Sequence, residues 1–262
     1  MKVLQNSKLN EIPLISQNVD NLSNLPYVVA EPLAKINDAL YIVGCAGSGK
    51  TNLMLSLLKS HPTKKKPNTP RFYYKYFDKV FLCSPSTASM NLDQLGLNDE
   101  RIHQKYSDEM LEDIITTEQE DENNNSLLIL DDVITQIKRS HYASRILLNR
   151  RHCMTNPDEE GSASLSIWIC SQKFNALPLL FRNNMSSFVI FRTDNQKEKE
   201  CIREELMADL NKSQQDEIFK LAWDQKYSFL YIRMNKDCNH KYHQRFNRII
   251  INENEENDKI EK

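Results

Sequence analysis

The chain has 262 residues, with 34 lysines and arginines against 36 aspartates and glutamates, a net charge of −2 and a mean hydropathy of −0.60. This length allows one sizeable core with terminal extensions, and the balanced charge excludes a global basic field, so any nucleic-acid contact would be a local patch. No run of about 18 apolar residues is present, so we expect no membrane span. The N-terminus has no apolar signal core, and the six scattered cysteines indicate reduced thiols in an intracellular compartment.

In chain order, residues 1–35 are polar with scattered apolar anchors, and we expect them to form an N-terminal extension that packs on the core. Residues 36–250 form the main domain, and the charged, asparagine-rich segment 251–262 is predicted to be a disordered tail. From Ala39 onward, apolar runs of strand length alternate with helical patterns. This alternation predicts an α/β fold in which helices cover a mostly parallel sheet.

Apolar runs and helix start and stop signals set the predicted elements. The predicted strands are 39–43, 79–83, 127–130, 164–170, 187–191 and 227–232. The predicted helices are 50–60, 108–117, 134–148, 197–210 and 214–223.

Three of the five glycines lie within one stretch of eight residues, Gly44 to Thr51. The stretch fits the Walker A pattern G-x-x-x-x-G-K-[ST] and stands between a predicted strand and a predicted helix, the context that this motif requires. Its glycines let backbone N–H groups converge on phosphate oxygens, and the helix adds its positive N-terminal dipole. Lys50 can then reach the β- and γ-phosphates, and the Thr51 hydroxyl can ligate Mg²⁺. The predicted nucleotide-binding residues are Gly44, Cys45, Ala46, Gly47, Ser48, Gly49, Lys50 and Thr51. A glycine-rich turn with an incidental lysine is the alternative.

Four aliphatic residues at 127–130 precede two adjacent acids, Asp131 and Asp132. A buried strand that ends in a carboxylate is the Walker B arrangement, in which Asp131 holds Mg²⁺ directly or through water. Asp132 can orient and deprotonate an attacking water. Asp132 can also cap the helix predicted near Ile134, and the two roles are compatible.

Gln172 follows the strand predicted at 164–170. Ligands of open α/β sheets bind at the carboxyl edge of the parallel strands. An amide at this edge can hydrogen-bond the γ-phosphate or the attacking water, so that the site responds to the nucleotide that is bound. An ordinary polar strand end is the alternative.

Three stretches taken together, residues 47–51, 81–85 and 130–132, resemble the motifs of the FtsK–HerA superfamily of pumping ATPases. Arg151-His152 and the residues at 169–174, 177–178 and 182–184 are similar to the poxvirus-type packaging ATPases of large DNA viruses, virophages and related elements. The resemblance covers 39–191. It implies a P-loop NTPase fold of the RecA-like, ASCE type, which is a three-layer sandwich with a mostly parallel central sheet.

The resemblance also implies catalytic roles. Lys50 contacts the phosphates, Asp131 is the metal acid, Asp132 activates water and Gln172 is the sensor. By the resemblance, a basic residue near Arg151 or Arg182 is the arginine finger that reaches the nucleotide of the neighbouring subunit. The alternative is that these arginines lie on the exposed surface or form ordinary salt bridges. Two departures from the family are an insert at 155–161 and the aspartate at 132, where many relatives of the wider superfamily carry glutamate.

A basic loop punctuated by prolines, 62–71, leads into a cluster of aromatic residues. Cations can track a nucleic-acid backbone, and rings can stack on bases. The candidate DNA contacts are Lys64, Lys65, Lys66, Arg71, Phe72, Tyr73, Tyr74, Lys75 and Tyr76. A solvated loop, followed by tyrosines that pack inward, is the alternative.

With the resemblance, the sequence predicts a Mg²⁺-dependent ATPase that forms a hexameric or pentameric ring and moves double-stranded DNA into a viral capsid. The implied partners are double-stranded DNA, further copies of the chain and a capsid or portal-vertex protein, in the host cytoplasm, a viral factory or the virion. The alternatives are a small-molecule or nucleoside kinase, a nucleotide-dependent switch or assembly ATPase, and a cellular or plasmid DNA-pumping ATPase. A GTPase switch is disfavoured because the sequence has no Asn-Lys-x-Asp motif.

Overall fold

The computed structural model describes residues 26–92, 97, 99–119, 125–150, 164–236 and 238–251. Arg151, the insert at 155–161, most of the predicted N-terminal extension and the predicted tail from 252 onward lie outside the described residues. Within the described part of the extension, Val29 and Leu33 are buried against the core.

A sheet of nine strands forms the centre of the described structure. The strands are β1 (Ala39–Val43), β2 (Lys79–Cys83), β3 (Ile102–His103), β4 (Asn125–Asp131), β5 (Ser164–Ser171), β6 (Ser187–Phe191), β7 (Phe229–Arg233), β8 (Tyr242–Gln244) and β9 (Asn247–Arg248). Their order across the sheet is β3-β2-β4-β5-β1-β6-β7-β8-β9. The pairs from β3 to β6 are parallel, and those from β6 to β9 are antiparallel. The predicted mostly parallel sheet is therefore confirmed.

Helices cover both faces of the sheet. They are α1 (Lys50–Lys59), α2 (Asp108–Gln119), α3 (Ile134–Ile137), α4 (His141–Asn149), α5 (Leu179–Arg182), α6 (Gln196–Leu206), α7 (Lys212–Ala222) and α8 (Cys238–Lys241). In β1, Tyr41 packs on one face into the cluster that holds the apolar residues of α2, α4, α6 and α7. Its neighbours Leu40 and Ile42 pack on the other face with Met54 and Leu57 of α1. Because successive side chains of a strand point to opposite faces, this division shows the predicted three-layer sandwich.

The central strands are buried on both faces of the sheet. All residues of β1, β4, β5 and β6 are buried, which explains why these strands read as continuous apolar runs rather than as alternating patterns. Among the described helices, none is long and apolar enough to cross a membrane.

Several predicted elements have other bounds in the structure, and the helix predicted over 197–210 already ends at Leu206. The helix expected over 134–148 is divided into α3 and α4, because the extended Ser140 caps α4 by accepting a hydrogen bond from the Ala143 N–H at 2.8 Å. The last predicted strand was expected to begin at Tyr227, but β7 begins at Phe229 and Tyr227 has a left-handed backbone.

Candidate functional site

The phosphate loop between β1 and α1 depends on two glycines for different reasons. Gly49 precedes α1 with φ +104, a left-handed conformation that L side chains rarely adopt. Gly44 has no room for a side chain, since a Cβ there would lie 2.5 Å from the Ser48 Oγ and 2.8 Å from the Phe191 Cβ. The sequence pattern therefore corresponds to a backbone that only glycine permits at these two positions.

The centre of the loop is polar, and one of its buried hydroxyl groups has no hydrogen-bond partner in the described part of the chain. The Lys50 side chain is buried, and its Nζ donates to the carbonyl oxygens of Gly44 at 2.7 Å and Cys45 at 3.2 Å. The buried Ser48 Oγ has no hydrogen-bond partner among the described residues. An unsatisfied hydroxyl beside a buried ammonium at the start of a ten-residue helix fits a loop that binds an anion.

The sheet order brings the second acidic motif to this loop. β5 lies between β1 and β4, with Val43 paired to Ser171 and Asp131 paired to Cys170. The Gly44 N–H donates to the Ser171 carbonyl at 3.1 Å. All three strands are parallel, so the phosphate loop, the two acids and Gln172 meet at one carboxyl edge.

Asp131 ends β4 as a buried carboxylate. Its Oδ2 accepts a hydrogen bond from the Ser84 hydroxyl at 3.0 Å, and both residues are almost completely buried. Burial raises the pKa of Asp131 above its ordinary value, and the negative charge of Asp132 raises it further. The hydrogen bond from Ser84 and the positive charge of Lys50 lower this pKa and oppose the effect of burial in part. Lys50 and Asp131 thus influence each other electrostatically across the site.

Asp132 and Gln172 lie together at the exposed rim of this edge. The Gln172 Nε2 donates to the Asp132 Oδ2 at 3.4 Å, and the Asp132 N–H donates to the Cys170 carbonyl at 3.2 Å. Asp132 has φ +54, an unfavourable conformation for a residue with a side chain. The N-cap of α3 is Val133, so the expectation that Asp132 caps this helix is wrong.

The donors at this edge fit Mg²⁺ bound together with phosphates. Within the described chain, no group of three or more His, Cys, Asp and Glu side chains could hold a metal ion by itself. Mg²⁺ needs only one or two carboxylates when substrate phosphates and water complete its shell. Asp131 and the Thr51 hydroxyl would be its protein ligands.

Of the two candidate finger arginines, only Arg182 is described. It is 8% exposed and pairs with the partly buried Glu205, with its NH2 2.6 Å from the Glu205 Oε1 and its Nε 2.7 Å from the Oε2. It also donates to the Leu177 carbonyl and lies over the Phe174 ring. This placement corresponds to the alternative of an ordinary salt bridge. Arg151 stays a prediction.

The aromatic part of the candidate DNA surface packs largely inward. Tyr73 and Tyr76 are buried in the core against Trp168 and Phe77, as the alternative interpretation held. Tyr74 stacks on His61, with ring centroids 3.8 Å apart. Lys64, Lys65 and Lys66 are exposed. The local basic patch therefore consists of cations with few free rings.

Two residues of the site escaped sequence reasoning. Ser84 stood in a stretch that carried the family resemblance, but only the β2–β4 pairing shows that its hydroxyl reaches Asp131. Tyr227 is 178 residues from Gly49 in sequence, yet its Cδ1 would lie 3.5 Å from a Cβ on Gly49. Neither contact has a local sequence signal.

The comparisons with known proteins agree with this geometry. The structure is similar to the genome packaging NTPase B204 of Sulfolobus turreted icosahedral virus 2 in complex with AMP, with a TM-score of 0.56 and 14% identity over 80% of this chain and 98% of that chain. The complex of the same protein with AMPPCP gives a TM-score of 0.54 and 14% identity over the same shares of the two chains. The crystal structure of B204, the DNA-packaging ATPase of Sulfolobus turreted icosahedral virus, gives a TM-score of 0.55 and 15% identity over 84% of this chain and 100% of that chain. No protein-family model and no curated protein matches the sequence.

Fold and site together define a P-loop NTPase fold. At identities of 14% and 15% these comparisons show the fold alone, and it is the predicted P-loop NTPase fold.

Proposed function

We propose that this chain is an ATP-hydrolysing motor that forms a ring and moves double-stranded DNA. The observation that carries the proposal is the meeting of the Lys50 loop, the buried Asp131 and the Asp132–Gln172 pair at one edge of the sheet. The fold shared with the two viral packaging enzymes and the resemblance of the motifs support DNA as the substrate of the motor.

The chemistry is the hydrolysis of the bond between the β- and γ-phosphates. Mg²⁺, when bound, neutralises phosphate charge and orients the reacting phosphoryl group. Asp131 and Thr51 would hold the ion, and Lys50 would move from its loop carbonyls to the phosphate oxygens. Asp132 takes a proton from the attacking water that it orients with Gln172, and ADP and inorganic phosphate leave.

The Asp132–Gln172 hydrogen bond supports the proposed role of Gln172 as the sensor. At 3.4 Å the Gln172 amide is only weakly held by Asp132, so a γ-phosphate can compete for it. Gln172 would then leave Asp132 free for water when ATP is present and return to it after phosphate release.

The wider setting follows from the resemblance. We propose a hexameric or pentameric ring, a capsid or portal-vertex protein as a further partner, and work in the host cytoplasm, in a viral factory or in the virion. A cellular or plasmid DNA-pumping ATPase would use the same site and the same chemistry.

The first test is the rate of ATP hydrolysis with and without long double-stranded DNA. We expect DNA to stimulate hydrolysis and Lys50→Ala to abolish it, because the variant removes the buried cation of the phosphate loop. Lys59→Ala, at the far end of the same helix, is the matched control and should behave as the wild type. Normal turnover in Lys50→Ala would refute the phosphate site, and hydrolysis indifferent to DNA would favour a switch or assembly ATPase.

A further inference from the structure

A cavity of about 620 Å³ opens beside the phosphate loop. Gly49, Thr51 and Asn52 line its end at the start of α1, and Phe72, Tyr227 and Phe246 line the remainder. Its volume lies within the range of pockets that hold small organic ligands. One end is thus an anion site, and the other is aromatic.

The backbone around the cavity is unusual in two places. Tyr227 has φ +64 and Arg245 has φ +53, and both residues line the cavity. Left-handed conformations are unfavourable for residues with large side chains and cluster at ligand sites, where the surrounding structure imposes them. Arg245 is held at the turn between β8 and β9, where its N–H donates to the Phe229 carbonyl at 2.8 Å.

The ring of Tyr227 lies where a ligand in the cavity could stack on it. Its side chain lies over Gly49, yet 55% of the residue is exposed. An aromatic residue this exposed beside a phosphate loop leaves an apolar face for a ligand to cover. Phe246, by contrast, is fixed in the wall by Phe72 at 5.7 Å and Phe229 at 5.4 Å between ring centroids.

A second groove on the other side of the loop differs in chemistry. Its volume is about 370 Å³, and Tyr227 lines it too, together with charged residues that include Arg192, Asp194 and Lys226. Arg192 and Asp194 pair with each other at 3.2 Å. A heteroaromatic ring gains more from the larger cavity, because Phe72 and Phe246 line it in addition to Tyr227 and fewer charged residues do.

We propose, on the basis of the proposed function, that the aromatic cavity is the base subsite of the nucleotide. The base stacks on Tyr227, with Phe72 and Phe246 as the opposite wall, while the phosphates occupy the Gly44–Thr51 loop. Tyr227 is then a binding residue that gives ATP and ADP their affinity over inorganic polyphosphates.

The test compares ADP with inorganic pyrophosphate, which shares its phosphate groups but has no base. Isothermal titration calorimetry in the presence of Mg²⁺ would measure both ligands on the wild type, Tyr227→Ala, Tyr227→Phe and the control Tyr74→Ala. We expect Tyr227→Ala to weaken ADP binding about 5- to 150-fold, since an aromatic–base stack has this magnitude, and to leave pyrophosphate binding unchanged. Tyr227→Phe should bind ADP like the wild type, because it keeps the ring. Tyr74→Ala should do so too, because the Tyr74 ring stacks on His61 outside the cavity.

Other outcomes overturn the proposal in distinct ways. Equal losses for ADP and pyrophosphate would show that Tyr227 only supports the loop through Gly49, and thermal melting of each variant would identify loss of fold. Unchanged ADP binding in Tyr227→Ala, or a wild type that binds pyrophosphate as tightly as ADP, would refute the base subsite while the phosphate site stands. A wild type that binds neither ligand would refute the proposed function as well.

Discussion

Burial dominates the environment of Asp131. Desolvation raises the pKa of its carboxyl group, and the Ser84 hydrogen bond is the largest effect in the opposite direction. Only the ionised carboxylate binds Mg²⁺, so a raised pKa brings the acid limit of activity closer to neutral pH. In the proposed reaction, Ser84 would therefore act through Asp131, as a positioning residue.

The first prediction at the residue scale concerns Ser84→Ala. Loss of its hydrogen bond should raise the pKa of Asp131 further, so that the acid limb of the rate profile moves to higher pH. The Mg²⁺ concentration for half-maximal hydrolysis should rise about 10- to 100-fold, as is common when a partner of a metal ligand is removed. ATPase assays over about pH 5 to 8 with Mg²⁺ titrations would measure both effects.

Ser86→Ala is the control for this variant, because Ser86 is exposed on the same segment and its side chain does not contact Asp131. If Ser84→Ala changes neither the pH profile nor the Mg²⁺ requirement, Ser84 has no part in positioning the carboxylate.

At the scale of elements, Arg182 of α5 joins Glu205 of α6. Both side chains are largely buried, at 9% and 18% exposure, and the guanidinium donates to both carboxylate oxygens. Such bidentate pairs have well-defined geometry, and removing one partner leaves a buried charge without compensation. The pair connects the segment after β5 to the helix layer.

We expect Arg182→Ala to lower the free energy of unfolding by about 3–5 kcal/mol. Urea denaturation would measure this loss. Arg192→Ala is the matched control, because the Arg192–Asp194 pair is exposed at 65% and 79% and should contribute under about 1 kcal/mol. Wild-type stability combined with reduced hydrolysis in assembled rings would instead make Arg182 the finger.

At the scale of the whole molecule, the proposed ring requires one subunit to complete the site of its neighbour. Arg182 pairs with Glu205, so Arg151 stays our candidate for the finger. An arginine supplied by another subunit stabilises the charge of the transition state and acts only in the assembly.

Arg151→Ala should therefore lower hydrolysis by assembled rings about 10³-fold or more and leave nucleotide binding by the isolated subunit intact. Steady-state ATPase assays on rings, prepared with DNA and checked by analytical ultracentrifugation, would measure this. Arg139→Ala, an exposed arginine just before α4, serves as the control. Unchanged turnover in rings of Arg151→Ala would refute the finger.

Elements with strong local patterns were predicted closely. β1, β2 and β6 have the predicted bounds, since each is an apolar run between clear turn or helix signals. The short strands β3, β8 and β9 were missed because two or three residues carry no periodicity, and only their neighbours make them strands. The break between α3 and α4 was missed because the apolar spacing continues through Ser140.

The sequence by itself determined the phosphate loop, the two acids and the α/β class, because each rests on residue types whose spacing already implies the local backbone. The tertiary structure decided which distant side chains meet there: Ser84 on Asp131, Gln172 beside Asp132, and Tyr227 over Gly49. It also placed Arg182 in an ion pair with the partly buried Glu205. These contacts depend on strand order and on long connections, which no local pattern encodes, because their energy comes from packing between segments far apart in the chain.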